Sequence, residues 1–512
     1  MNDIKSISSS PLNEKVNNDN DNDNDNGHDN VIIQGGTLVI SGCIDWDKPL
    51  GSKGNDTIGL DEPSIIKFHQ PVIKSFSSSS SFHFFIQLLD GSIYGMGRNT
   101  NGQLGCNTKI TQNVSPILID IPEKSKVIKI STGSKHSLML LANGFVYASG
   151  ANDVGACGLG GQKSNIKDYL KFTKIESLKN IIDISCGSEF SLVVSSDGSL
   201  YSFGHPEGGQ LGLGSNGEFI AKAGKVSYTY VTTPTLITKF ISKEVVFGSN
   251  QPKVKEINEK IKIVKVACGR NHCLALEDWE TNAGKGNRLF AWGVSGHGRT
   301  GHNNQDDVLF PCNINVLDDP DNKNITKHIR DISCGSTFSV AISRTRNLYY
   351  FGKIVNAPRS EATMYPKMMN ELVGYPIRNV DCGQNLIMLS SSDLSIGWGV
   401  SVAGKLGFIG DTKGSTVPTL ISKVNGLYVA NISCGQYHCC MVVTETQLPA
   451  VDTGGHSSFS HKSQGKAVKI SEIPIWLDLT SNKRKSSKND DNDDFDDKSS
   501  RNDQKKSSKK KK

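Results

Sequence analysis

Three histidines share one slot of a recurring phrase: His136, His272 and His438 each lie three residues after a glycine, in GSKH, GRNH and GQYH. Imidazole is the side chain best suited to proton transfer and metal ligation near neutral pH. The same slot holds Phe190 and Phe338 in other copies of the phrase. A position that takes His or Phe reads as a packed strand residue, its neutral ring hydrogen-bonded to backbone. Asp90–Gly91 and Asp197–Gly198 read as tight turns, not as acids. The sequence holds no Ser/His/Asp elbow, no HExxH and no GxxxxGK[ST] loop. Gly208–Gly212 is glycine-rich but lacks the strand–helix frame of a nucleotide cradle. No classical catalytic site, cofactor or metal is expected.

Of the 12 cysteines, Cys186, Cys268, Cys334, Cys382 and Cys434 recur in one slot, each followed by Gly. A fixed strand position suits a small buried thiol in a reducing compartment. Paired CxxC spacing is absent, and adjacent Cys439 and Cys440 should point to opposite strand faces.

The formal charge of +6 is unevenly spread: residues 1–30 carry two Lys against seven acidic residues, and residues 481–512 carry twelve Lys/Arg against seven Asp. Both ends read as disordered, an Asn/Asp-rich tail over 1–30 and a basic Lys/Ser/Asp-rich tail over 446–512, interrupted by AVKISEIPIWLDL at 467–479. Lys483, Arg484, Lys485, Lys505, Lys506 and Lys509 form clusters of the kind used for nuclear import or nucleic-acid contact; a solubilising tail is the plainer reading. No apolar run approaches ~18 residues, so no membrane span is expected, and the start shows no secretory h-region.

Two stretches break the repeat. The insertion 232–262 sets Phe240 among Lys243, Lys253 and Lys255; it is either a plain surface insertion or a partner-facing arm. The loop 357–367 offers Arg359, Glu361, Tyr365 and Lys367, for partner binding or as a plug for a missing turn.

The elements that position all of these are strands. A first half-repeat, an apolar run, a small residue with Gly, then a second apolar run, occurs as IIDISCGSEFSLVV from Ile181 and in six other copies. A second half, a turn and an aromatic-rich strand followed by glycines, occurs as DGSLYSFGHPEGGQLG from Asp197 and in five others. Asp-Gly and Asn-Gly between apolar runs favour hairpins. Anchor glycines Gly133, Gly187, Gly269, Gly335, Gly383 and Gly435 are 54, 82, 66, 48 and 52 residues apart. Intervals near ~50 fit four-stranded propeller blades. The missing second half lies at the front, GGTLVISGCIDWDKPLG from Gly35, so an N-terminal strand pair should complete the last blade beside Val429–Val443. The expected fold is all-β, a seven-bladed propeller over 31–445. A stacked β solenoid would need capping ends, which are not seen.

The phrases GSLYSFGHPEGGQLG and CGRNHCLAL resemble the regulator of chromosome condensation repeats. The stretches PEGGQLGLGSNGEFIAKAGKVSYTY (206–230) and APRSEATMYPKMMNELVGYPIRNVDCG (357–383) look like the second branch of that family, the telophase-disc chromosomal passengers. That resemblance implies a mitotic, chromatin-associated scaffold that binds small GTPases of the Rac, Arf or Ral type. It also implies guanine nucleotide exchange activity as one option, and location in the nucleus, on chromosomes and at the spindle midzone with its microtubules, with some cytoplasmic. A non-catalytic interaction scaffold or a nucleosome-binding module is the alternative. Two departures stand out: Thr300 where the repeat has Leu, at the cost of one apolar contact, and no GQLG turn after Tyr349–Phe351.

Overall fold

The second strand of every repeat is buried on both faces, as in His136–Leu141, Phe190–Ser195 and Phe338–Ser343. Such a strand has no side left for water, so each sheet must be sandwiched between two others. The computed structural model describes residues 35–43, 59–109, 115–161, 168–244, 253–278, 286–314, 328–355, 357, 361–391, 394–401, 406, 414–445 and 467–480. Seven sheets, antiparallel in their four blade strands, satisfy the requirement by radial arrangement.

Their innermost strands are Val72–Phe76, Val127–Thr132, Ile181–Cys186, Ile263–Cys268, Ile329–Cys334, Asn379–Cys382 and Tyr428–Cys434, which define blades 1 to 7. Each touches the innermost strands on either side, and the cycle closes from Tyr428–Cys434 back to Val72–Phe76. This is a closed seven-bladed β-propeller. The last blade is composite: Tyr428–Cys434 and His438–Thr444 from the C-terminal side pair onward to Thr37–Cys43 and Gly59–Lys67 from the front. Leu38 lies opposite Val442 and Ile40 opposite Cys440. Closure with a strand from the far end of the chain removes the two sheet edges an open ring would expose.

Each anchor glycine has a local cause. A Cβ at Gly133 would overlap the ring of His136, which folds back over the turn; Phe190 does the same to Gly187. The G-x-x-His/Phe spacing is thus a ring seated on a glycine.

Four boundaries differ from the sequence expectation. Thr232 to Leu236 belong to Val231–Leu236, the outer strand of blade 3, because they pair with Leu200–Gly204. What remains of the insertion is a hairpin, Ile241–Glu244 with Lys253–Glu256, added in parallel to Val308–Asn313 of blade 4. Residues 363–367 are not loop either: Thr363–Met368 is the outer strand of blade 5. The apolar stretch 467–479, read as an interruption in a tail, docks as a fifth strand on blade 7. Its Ile475–Asp478 runs parallel to Gly59–Lys67, the Ile65 amide donates to the Pro474 carbonyl at 2.8 Å, and Ile473 is buried.

Apart from Cys43, whose side chain lies outside the description, the cysteines are free, and Cys439 and Cys440 enter different core clusters, on opposite faces of their strand. Thr300 is fully buried like its counterparts Leu104 and Leu211, and its hydroxyl bonds that of Ser295, so a polar contact replaces the apolar one.

Candidate partner-binding surfaces

The histidines join blades. His83 Nε2 meets Ser137 Oγ at 2.7 Å, His136 meets Ser191 at 2.9 Å, His272 meets Ser339 at 2.9 Å and His438 meets Ser77 at 3.0 Å. Each partner serine lies on the next blade. The imidazole therefore meets a side-chain hydroxyl across a seam, where the sequence suggests a backbone partner. Ser137, Ser191 and Ser339 in turn donate to the carbonyls of Gln103, Ala156 and Arg299, each at 2.8 Å, which leaves Nε2–H to donate. Burial pushes His136 down to about 4 and His438 to about 3, so the rings are neutral at pH 7. Among the described residues, no group of three His, Cys, Asp or Glu is placed to hold a metal. Among the described residues, no helix is long and apolar enough to cross a membrane.

A second set of contacts joins the innermost strands of neighbouring blades. Ser131 Oγ accepts the Cys186 amide at 2.8 Å, Ser185 that of Cys268 at 2.9 Å, and Ser333 that of Cys382 at 3.2 Å. In blade 6 the serine slot holds Asp381, whose carboxylate accepts the Cys434 amide at 2.7 Å and the Ser333 hydroxyl at 3.0 Å. Burial outweighs these donors and pushes Asp381 up to about 7. Lys129–Asp183 at 2.6 Å and Lys265–Asp331 at 2.9 Å tie further neighbours together. These contacts hold the ring together.

Among the described residues, two hairpins project. The first, Glu218–Ile220 with Val226–Tyr228, leaves the connection between the third and fourth strands of blade 3. Its base is fixed: the Tyr228 and Tyr230 rings lie 4.9 and 5.2 Å from His205, and the Thr229 amide donates to the Gly217 carbonyl at 2.8 Å. Its outer part is apolar and open, with Phe219 46%, Val226 55% and Ile220 77% exposed. Lys222 and Lys225 flank the tip, where Ala223 takes a left-handed φ of 66°. Ile220 and Val226 are cross-strand partners on one face and Phe219 lies on the other; exposed apolar side chains of this size mark contact surfaces. In the sequence this stretch stands out only by its resemblance, although Phe219–Ile220 before AKAGK and Val226 after it carry a weak hairpin signal.

The second hairpin, Ile241–Glu244 with Lys253–Glu256, arises between blades 3 and 4. In an antiparallel blade that connection lies at the end opposite to the first hairpin. Phe240 is a correction to the binding set: its ring is 9% exposed, packs edge-on against Phe290 at 5.1 Å and anchors the insertion in the core. Lys253 and Lys255 are exposed on the outer strand, two residues apart and hence on one face. The Lys243 backbone pairs with Val254. On blade 5, Tyr365 and Lys367 are exposed on one face around buried Pro366, with Glu361 exposed just before the strand. Thus the expected residues form two sets on different blades. Arg359, Lys483, Arg484, Lys485, Lys505, Lys506 and Lys509 lie outside the described residues.

The family model described as the regulator of chromosome condensation (RCC1) repeat matches residues 90–140, 143–194, 197–276, 287–342 and 396–442. The chain belongs to the RCC1-repeat family. Among curated relatives of this RCC1-repeat protein, Protein RCC2 homolog of Danio rerio is 33% identical over 374 residues, covering 72% of this chain and 70% of that protein. Protein RCC2 of Homo sapiens is 32% identical over 373 residues, covering 72% and 67%. The solved structures of human WBSCR16 and of yeast RCC1 (Prp20) bound to Kap60 superpose with a TM-score of 0.62 at 19% identity. The first covers 80% of this chain and 99% of that chain, the second 81% and 90%. They share the fold.

Proposed function

We propose that this RCC1-repeat protein is a propeller scaffold that binds and regulates a small GTPase of the Rac, Arf or Ral type, in a nuclear, chromatin-associated setting that extends to the mitotic spindle. The observation that carries the reading is the first hairpin, an arm with a fixed base, exposed apolar side chains on both of its faces and a lysine-flanked tip. Relatedness to RCC2 proteins supports it. A regulator of this kind needs no nucleotide-binding residue of its own. It accelerates release by holding the GTPase switch segments apart, which stabilises the emptied partner. Apolar Phe219 and Ile220 are suited to such a wedge, and Lys222 and Lys225 to acidic groups beside the site.

The binding test uses the full chain immobilised and offered Rac-, Arf-, Ral- and Ran-type GTPases, each stripped of nucleotide. Retention of one class by the wild type and its loss in the Phe219→Ser/Ile220→Ser variant is the expected outcome. Equal retention by both proteins would remove the hairpin from the mechanism. Lys253→Glu/Lys255→Glu then asks whether the second hairpin is the arm instead.

A further inference from the structure

In blades 1 and 3 the loop after the third strand ends on a buried glutamine, Gln103 or Gln210, in the phrase GQLG. A neutral amide suits that place: Gln210 Nε2 donates to the His205 carbonyl of its own loop at 2.9 Å. Blade 4 reads GRTG, and the glutamine slot holds Arg299. Its side chain stays in the slot, only 8% exposed.

The guanidinium donates from Nε to the Gly296 carbonyl at 2.8 Å and from Nη1 to the Ser336 carbonyl of blade 5 at 3.4 Å. Both acceptors are neutral, and among the described residues no carboxylate pairs with it. The nearest acidic influence is Asp307, whose Oδ1 already accepts the Ser295 amide at 3.0 Å. The other charged neighbours are cationic: Arg270 acts on Arg299, and Arg299 and Lys353 act together on His297. Lys353 stands where blade 5 lacks the GQLG loop that would cover this corner. His297 takes a left-handed φ of 66° where blade 3 has Gly208, which holds an exposed imidazole over the same corner.

A nearly buried guanidinium that donates only to carbonyls is costly to desolvate. Consistent with this, burial brings Arg299 down to about 10. A ligand oxyanion would supply the missing countercharge, and Arg offers two-pronged donation to such a group. We infer that Arg299, with His297, Arg270 and Lys353 around it, forms an oxyanion-binding site at the junction of blades 4 and 5 that takes a carboxylate or phosphate group. The site lies on the same end of the propeller as the first hairpin, since both arise from third-to-fourth strand connections. It does not depend on the GTPase reading.

The test is a titration of the full chain with sodium phosphate and, separately, sodium acetate, at ionic strength held constant with chloride, read by calorimetry and thermal shift. The wild type should bind at least one of them beyond the chloride background, and the stronger ligand tells whether the natural group is a phosphate or a carboxylate. Arg299→Gln restores the residue of the other blades and should weaken binding by about tenfold or more. An equal response from wild type and Arg299→Gln, or none beyond chloride in the wild type, would overturn the site. Should Arg299→Gln fail to fold, Arg270→Gln/Lys353→Gln carries the test: weakened binding supports the site and an unchanged affinity overturns it.

Discussion

His438 Nε2 lies 3.0 Å from Ser77 Oγ, so the last blade is held to the first by the same kind of contact that joins blades 1 to 2, 2 to 3 and 4 to 5. The ring-closing seam is chemically one of the series. Its strands come from opposite ends of the chain, yet its side chains follow the repeat.

The neutral histidines give stability a defined pH dependence. Their folded values lie below 6.5, at about 4 for His136 and about 3 for His438, so the unfolded chain takes up protons first as pH falls. The stabilisation is complete above ~6.5 and is lost at about 1.4 kcal/mol per pH unit for each ring between there and its folded value. The melting temperature should therefore fall on acidification below ~6.5, less steeply in His136→Phe, which adopts the residue of blades 3 and 5. A slope unaltered by that substitution would contradict the assignment.

Asp381 acts in the opposite sense. Its folded value of about 7 lies above that of a free carboxyl, so the folded state holds a proton that the unfolded state has lost, and stability falls as pH rises from ~4 to 7. Asp381→Asn keeps an acceptor for Cys434 without the charge. It should raise stability at pH 8 by about 1–3 kcal/mol and leave it nearly unchanged at pH 4, as measured by denaturant unfolding.

The docked segment 467–480 is part of the ring closure. Ile473 is buried against the last blade, and the Leu479 amide donates to the Lys67 carbonyl at 2.8 Å. Ile473→Ala should cost about 2 kcal/mol or more. Truncation after residue 466 should lower the melting temperature as well. Truncation with no thermal effect would show that the segment merely rests on the blade.

The fold was legible because the repeat writes the same local instructions in every blade: a ring seated on a glycine, an Asp-Gly or Asn-Gly hairpin and a doubly buried second strand. The closing strand was legible by counting halves. Strands outside the repeat were not. Ile475–Asp478 pairs through its backbone with an edge some 400 residues away in sequence, and neither local propensity nor alternation records such a partner. Phe240 looked like an exposed anchor among lysines because its partner Phe290 belongs to the next blade. The serine partners of the histidines are hidden for the same reason, since three lie about one repeat away and Ser77 at the other end of the repeats.

Removing two exposed apolar side chains of the first hairpin should not disturb the ring. Phe219 and Ile220 are exposed, so Phe219→Ser/Ile220→Ser should change folding stability by no more than about 0.5 kcal/mol. A folded, inert variant is therefore available as the control for function.

The most direct measurement is release of fluorescent GDP from Rac-, Arf-, Ral- and Ran-type GTPases in the presence of the full chain and of that variant. A GTPase regulator predicts acceleration of one class by the wild type and a return to the spontaneous rate with the variant. A flat panel from a folded wild-type protein, or acceleration that survives the hairpin substitutions, would contradict it.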